Sequence, residues 1–262
     1  MELAERVVLV TGASMGIGRE IARALGREGC RVVLAARTVE LLEQEARAIG
    51  PNAFPVRLDV TSDASVAACM EQLGRRFGRL DVVVNNAGSG GPVRRWAEAE
   101  ADSVRRMFEV HLFGSERVMR AAVPLLRQAG GGTIVNFAST LGYVGMPGTA
   151  AYNSAKAAVI MLSKTLRAEL REHRIDVRVF SPPHTSTESG KAMPLNLPHI
   201  FEPEWVAKRF VRFLKGRKAW ELPGGNGSLL FLQRISPSLA QKIMDGIGFG
   251  TLDRVAQLPS GQ

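Results

Sequence analysis

Tyr152 and Lys156 stand four residues apart, so on a helix they share one face and bring a phenol beside an ammonium. An ammonium about 5 Å away at an effective dielectric of about 20 contributes roughly 3 kcal/mol, or about two pKa units, drawing a tyrosine towards working pH. Such a tyrosine protonates an alkoxide in one direction and deprotonates an alcohol in the other. A second constellation, Thr11-Gly12-Ala13-Ser14-Met15-Gly16-Ile17-Gly18, places glycines at a junction between an apolar run and a helical segment. Glycine permits a tight turn and close approach of a pyrophosphate, whose charge the free N–H groups and positive dipole end of the helix stabilise. The competing reading is a tight turn with small residues for packing. Further on, Val32-Val33-Leu34-Ala35-Ala36-Arg37-Thr38 has no carboxylate for a ribose 2′-hydroxyl. Arg37 offers a guanidinium suited to a 2′-phosphate, which favours NADP(H) over NAD(H); otherwise it is an exposed arginine opening a helix.

The elements that must position these groups alternate along the chain. Short β-branched runs near 6–11, 31–36, 53–58, 80–84, 132–137 and 175–180 predict strands covered on both faces. Helical periodicity predicts helices over 16–28, 39–49, 63–77, 99–112, 115–128 and 151–172. The alternation predicts an α/β fold, a doubly wound parallel sheet with helices on both faces. After residue 180 the character changes, and a Pro/Ser/Thr-rich stretch over 181–203 predicts a long functional loop. A helix is expected over 203–215, 219–232 is ambiguous, and 236–248 reads as an amphipathic helix with Leu239, Ile243 and Ile247 on one side.

Thr11 to Gly18 reads as TGxxxGxG, Asn85-Asn86-Ala87-Gly88 as NNAG after the fourth expected strand, and Ser139 with Tyr152-Asn153-Ser154-Ala155-Lys156 as a Ser and YxxxK set; in these motifs and their order the sequence resembles the short-chain dehydrogenase/reductases. The resemblance spans residues 5 to about 187. It implies a single Rossmann-type domain over 1–262, nicotinamide-dependent carbonyl or alcohol chemistry, and a homodimer or homotetramer. It assigns Tyr152 as acid/base, Lys156 as its tuner and ribose anchor, and Ser139 as the group orienting the carbonyl. Gly12, Ser14, Met15, Gly16, Ile17 and Gly18 would hold the cofactor, with Asp59 and Val60 flanking the adenine and Asn86, Ala87 and Gly88 lining its cleft. Taken singly, Tyr152 also reads as a helix-surface residue, Lys156 as a solvated charge and Ser139 as a loop or cap residue. Tyr143, with no lysine four positions on, is expected to line the substrate pocket or to pack structurally.

Two positions depart from the family's pattern. His111 stands where the family usually has an asparagine that holds a water linking the lysine to solvent. An imidazole either keeps that relay and adds pH sensitivity, or is a packed histidine. Ser181-Pro182-Pro183-His184 replaces the usual Pro-Gly, and proline supplies neither glycine's positive φ nor its N–H. Thr187 falls where the family has a threonine contacting the carboxamide, and His184 reads as a substrate contact or a solvated side chain. The segment 188–201, with Met193, Leu195, Leu197 and Ile200, reads as a mobile apolar lid for a hydrophobic or acyl-chain substrate. Leu222 to Gly227 does not reproduce the usual closing strand. Residues 204–262 are expected to form a C-terminal helix and extension, in which Leu229-Leu230-Phe231-Leu232 and the helix after it cover the cleft, join subunits or touch a membrane, core or interface being favoured.

Composition narrows the classes. With 45% hydrophobic and 23% charged residues, 262 residues suffice for one buried core and exclude a disordered or fibrous chain. The net charge is +9, but the arginines are scattered and lack interleaved aromatics, so no nucleic-acid surface is expected. Two cysteines, Cys30 and Cys69, make no disulfide framework and no metal-type spacing with the four histidines, which fits a reducing cytoplasm. No signal-like N-terminus and no apolar run of roughly 20 residues is present, so secretion and membrane spanning are not expected. The sequence therefore predicts an NADP(H)-dependent carbonyl reductase or alcohol dehydrogenase acting on a small, hydrophobic molecule. The alternative is a catalytically impaired nicotinamide-binding sensor or partner-binding protein.

Overall fold

Valine-rich strands with apolar residues at consecutive positions need cover on both faces, and the chain supplies it. The structure, a computed structural model, describes residues 1–191, 193, 195, 197 and 199–257; four positions of the expected lid and the last five of the expected extension lie outside these. The strands are β1 (Val7–Thr11), β2 (Arg31–Ala36), β3 (Ala53–Arg57), β4 (Val82–Asn85), β5 (Gly132–Phe137), β6 (Ile175–Phe180) and β7 (Trp220–Glu221). They form a parallel sheet in the order β3-β2-β1-β4-β5-β6-β7. Alternate side chains go to opposite layers. Val8, Val10, Val32, Leu34, Val84 and Phe180 pack under α1 (Gly16–Arg27), α2 (Val39–Ile49) and α8 (Pro203–Lys215). Leu9, Val33, Val83, Ile134 and Val177 pack under α3 (Asp63–Phe77) and α5 (Gly114–Gln128).

The strand order reverses between β1 and β4, which opens a crevice at the carboxyl ends of those strands. Two hydrogen-bonded turns form its floor. Thr11 Oγ1 accepts from Asn86 N (3.1 Å) and Ala87 N (3.0 Å), while Asn86 Nδ2 donates to Thr11 O at 3.0 Å. Deeper in the sheet Asn85 Nδ2 donates to Asn136 Oδ1 and Asn136 Nδ2 to Ser163 Oγ, both at 2.8 Å, tying β4 and β5 to α6 (Ala150–Glu169).

Some expected boundaries moved. The helix expected over 99–112 is reduced to α4 (Ser103–Phe108), which continues through a π turn over Glu109–Phe113 directly into α5. The backbone stays helical through that turn, so the two expected helices are one path with a bulge, a distortion that re-aims side chains. Gly114 lies against Val60, and a Cβ there would stand 2.8 Å from Val60 Cγ2. The loop over 181–203 contains α7 (Glu188–Lys191) and a bridge between Thr185 and Phe201. The ambiguous stretch resolves into β7, a two-residue strand at the sheet edge just before Leu222, followed by α9 (Asn226–Ile235). The last helix, α10 (Pro237–Ala256), is longer than expected; Ile247 faces the crevice while Leu239 and Ile243 are exposed.

Candidate active site

The crevice is a cleft of about 720 Å³, and the glycine turn forms one wall. Gly12 and Gly16 take positive φ of 68° and 57°. Met15 is the N-cap of α1 and makes no side-chain cap, so first-turn N–H groups face the cleft beside Ser14, Gly16, Ile17 and Gly18. This is a cradle for a phosphate-bearing group, supplied by backbone alone. Asp59 and Val60 lie further along the same wall, with Arg37 exposed at the rim. Asp59 Oδ1 accepts from Thr61 N (3.0 Å) and Thr61 Oγ1 (2.7 Å), and these bonds, helped by the Arg37 charge, hold its carboxyl below the usual range.

The opposite wall carries the reactive side chains. Ser139 follows β5 and caps a short 3-10 turn, its Oγ accepting from Leu141 N at 3.2 Å. Tyr152 lies in the first turn of α6 and Lys156 one turn on. The sheet brings all three to one place, since β5 delivers Ser139 and its Phe137 carbonyl accepts a 2.7 Å hydrogen bond from Lys156 Nζ. Lys156 is buried, which lowers its pKa to about 7, and its Nζ lies 5.7 Å from the centroid of the Tyr152 ring. The expected lowering of the Tyr152 pKa does not occur in the protein alone. Burial raises it, the neighbouring Ser139 hydroxyl offsetting only part, so the phenol holds its proton.

His111 is brought beside this group by the π turn. Its Nε2 lies 2.9 Å from the Ser89 carbonyl oxygen, which can only accept, so Nε2 carries the proton and Nδ1 is a buried acceptor without a partner. The ring meets Tyr152 edge-on at 5.6 Å between centroids. It fits because residue 88 is glycine: a Cβ there would stand 2.1 Å from His111 Cε1. Burial, then the Lys156 charge, pulls the His111 pKa from 6.5 to about 3, so the expected pH sensitivity near neutrality is absent. Below 6.5 the unfolded chain takes up a proton that the native state refuses, and stability falls as pH drops towards 3. His111→Asn removes that penalty. Unfolding midpoints measured between pH 7 and 4 should fall further for the wild type than for the variant, and parallel curves would contradict this assignment.

The remaining expected residues also converge. Asn86, Ala87, Gly88, Thr187 and His184 line the cleft, and burial lowers the His184 pKa. Thr187 Oγ1 accepts from Gly190 N at 2.9 Å, and its methyl lies 3.3 Å from where a Cβ on Gly16 would be. Gly90 N donates to Ser189 Oγ at 2.7 Å, joining the loop after β4 to α7. Met193, Leu195 and Leu197 turn into the cleft, whereas Ile200 is exposed. Tyr143 packs with Ala138, Ile160, Val179 and Trp220, the structural of its two expected roles. Leu229, in a segment expected to cover the cleft, join subunits or touch a membrane, lines it; Leu141, Met146 and Met244 also line the cleft and were not singled out from the sequence, though Met244 was detectable as a helical neighbour of Ile247.

Known proteins share this fold. Cis-4-hydroxycyclohexanecarboxylate dehydrogenase of Sinomonas cyclohexanicum is 36% identical over 196 residues, covering 74% of this chain and 79% of that protein. Among solved structures, a short chain dehydrogenase from Burkholderia cenocepacia J2315 in complex with NADP superposes with a TM-score of 0.83 at 26% identity, covering 93% of this chain and 99% of that one. L-sorbose reductase from Gluconobacter frateurii, complexed with NADPH and L-sorbose, gives a TM-score of 0.77 at 28% identity over 86% and 98% of the two chains. The family profile described as short chain dehydrogenase matches residues 6–196, and with the fold and cleft in place the chain belongs to the short-chain dehydrogenase family of oxidoreductases.

Proposed function

We propose that this protein is an NADP(H)-dependent oxidoreductase that interconverts a carbonyl and an alcohol on a hydrophobic substrate. The observation that carries the reading is the meeting of Tyr152, Ser139 and Lys156 in the cleft walled by the glycine turn. The nicotinamide cofactor supplies hydride chemistry when bound. The first-turn N–H groups of α1 fit its pyrophosphate, Arg37 its 2′-phosphate, Asp59 and Val60 its adenine end, and Asn86 to Gly88 and Thr187 its other end. Ser139 hydrogen-bonds the substrate oxygen, and Tyr152, protonated by virtue of its burial, gives that oxygen its proton in the reducing direction. Lys156, fixed on the Phe137 carbonyl, sets the field at the phenol and anchors the ribose. His111 serves the relay only as an acceptor, through Nδ1.

Leu141, Met146, Met193, Leu195, Leu197 and Met244 give the substrate end apolar walls, which supports a hydrophobic substrate. In this reading residues 1–262 act as one Rossmann-type domain, with 181–203 as substrate loop and 204–262 as a C-terminal helix and extension whose Leu229, Met244 and Ile247 line the cleft. Exposed Val104, Phe113 and Met161 on the α4–α6 side support a homodimer or homotetramer, and the buried thiols of Cys30 and Cys69, pushed up to about 12, fit a reducing cytoplasm. A second reading, a nicotinamide-binding sensor without turnover, rests on the acceptor-only His111 at the relay position.

Calorimetric titration with NADPH and NADH, followed by nicotinamide absorbance against ketones, aldehydes and alcohols, tests both. Tighter NADPH binding with turnover is expected; binding without turnover that His111→Asn restores would favour the sensor. Arg37→Ala should weaken NADPH about tenfold or more, as loss of a charged hydrogen bond of about 1.5–3 kcal/mol requires, and leave NADH nearly unaffected. Equal weakening of both would remove the 2′-phosphate role.

A further inference from the structure

The outward faces of α9 and α10 carry a row of large apolar side chains. Phe231 and Ile235, 65% and 63% exposed, lie one turn apart on α9, and Leu239, Ile243 and Phe249 are exposed on α10. At about 100° per residue, the three on α10 fall with Lys242 and Gly246 within about a third of the helix circumference. Ala240, Met244, Gly248, Thr251 and Leu252 are buried on the other side. Single exposed apolar residues are ordinary, but large apolar side chains exposed on each of two successive helices mark a contact surface.

Cations stand among these side chains. Exposed Arg234 adjoins Ile235 and exposed Lys242 adjoins Ile243. The Arg95 guanidinium lies 6.0 Å from the Phe249 ring centroid, and its neighbour Trp96 is 75% exposed. On the acidic side, Asp245 accepts from Gln241 Nε2 at 2.7 Å, and exposed Asp253 lies beyond Phe249 at the far end of the row. Apolar side chains flanked by Lys and Arg, with an aromatic at the edge, match the boundary between acyl chains and anionic headgroups. No helix among the described residues is long and apolar enough to cross a membrane, so the chemistry is that of lying on a bilayer. A second copy fits less well, because a two-fold contact sets this face against itself, and its cations Arg234, Lys242 and Arg95 outnumber its carboxylates Asp245 and Asp253.

We propose that α9 and α10 form a docking surface for an anionic lipid bilayer, with Phe231, Ile235, Leu239, Ile243 and Phe249 at the acyl boundary and Arg234, Lys242 and Arg95 at the headgroup phosphates. Leu229, Met244 and Ile247, on the other sides of the same helices, line the cleft, so docking places these two helices between the lipid and the substrate end of the cleft. Flotation of the full chain with phosphatidylcholine vesicles, with and without phosphatidylglycerol, tests this. The protein should float with phosphatidylglycerol vesicles, less so in high salt. Ile235→Glu/Ile243→Glu and Arg234→Glu/Lys242→Glu should each weaken binding by at least about tenfold, with unchanged melting temperature and NADPH affinity. Absence of flotation, indifference to both variant pairs, or a stable dimer split by Ile235→Glu/Ile243→Glu would overturn the proposal. Vesicle binding needs no turnover and turnover on a water-soluble ketone needs no vesicles, so this proposal and the oxidoreductase reading fail independently.

Discussion

Replacing Tyr152 by Phe is expected to reduce turnover about 10²–10⁴-fold, the range associated with a positioned proton donor, and to leave cofactor affinity largely intact. The ring keeps its edge-on contact with His111 and its place above Lys156, so the variant removes one hydroxyl and little packing. Parallel melting curves and NADPH titrations would show that the loss is chemical. Near-normal turnover would remove Tyr152 from its role. Because the free phenol is held protonated by burial, the reducing direction has its donor ready in the unliganded protein, whereas alcohol oxidation must first draw the proton off.

Gly18→Ala is expected to lower stability and weaken NADPH binding together. A Cβ at residue 18 would stand 2.3 Å from Gly12 O and 2.4 Å from Asn86 Nδ2. Neither can yield freely, because Asn86 Nδ2 holds Thr11 O and Gly12 O at 3.0 and 3.3 Å. Overpacking of this kind costs about 1–3 kcal/mol or more, enough to shift Tm by several degrees, and moving the turn should weaken NADPH by about tenfold or more. Gly227→Ala on α9, where a Cβ meets open space, is the control and should be neutral or slightly stabilising. If Gly18→Ala matched that control in melting and titration, the close packing of turn against loop would be refuted.

What the sequence disclosed follows from how local each signal is. The strands and the glycine turn were legible because apolar runs and a turn motif are contiguous, and Tyr152 with Lys156 because four residues make one helical turn. The anchor of Lys156 was not legible: it is a main-chain oxygen of Phe137, which every residue type possesses. The fit of His111 against Gly88 joins positions far apart in the chain and depends on a π turn that periodicity does not encode. The pKa directions failed because the sequence arithmetic set the ammonium in a solvated dielectric, whereas Lys156 is buried and Tyr152 is shielded. β7 has two residues, too few for alternation to show, and α10 is apolar on both its inner and outer sides, which blurs the stripe that would have fixed its extent.

The buried amides of Asn85 and Asn136 bear on how the strands find their alignment. In β4 and β5 the preceding residues are Val82-Val83-Val84 and Thr133-Ile134-Val135, so sliding one strand past the other by a residue exchanges one β-branched neighbour for another. Hydrophobic patterning, which ordinarily penalises such a slip, is nearly silent here. The native pairing sets Asn85 directly across from Asn136, and a slip would strand buried amides at a cost of about 1–3 kcal/mol for each unsatisfied group. These side chains therefore act as an alignment key during assembly. The strand ends they lock carry Asn86 and Ala87 on one side and Ser139 on the other, so a misaligned pair would be a well-packed sheet with a displaced reaction centre.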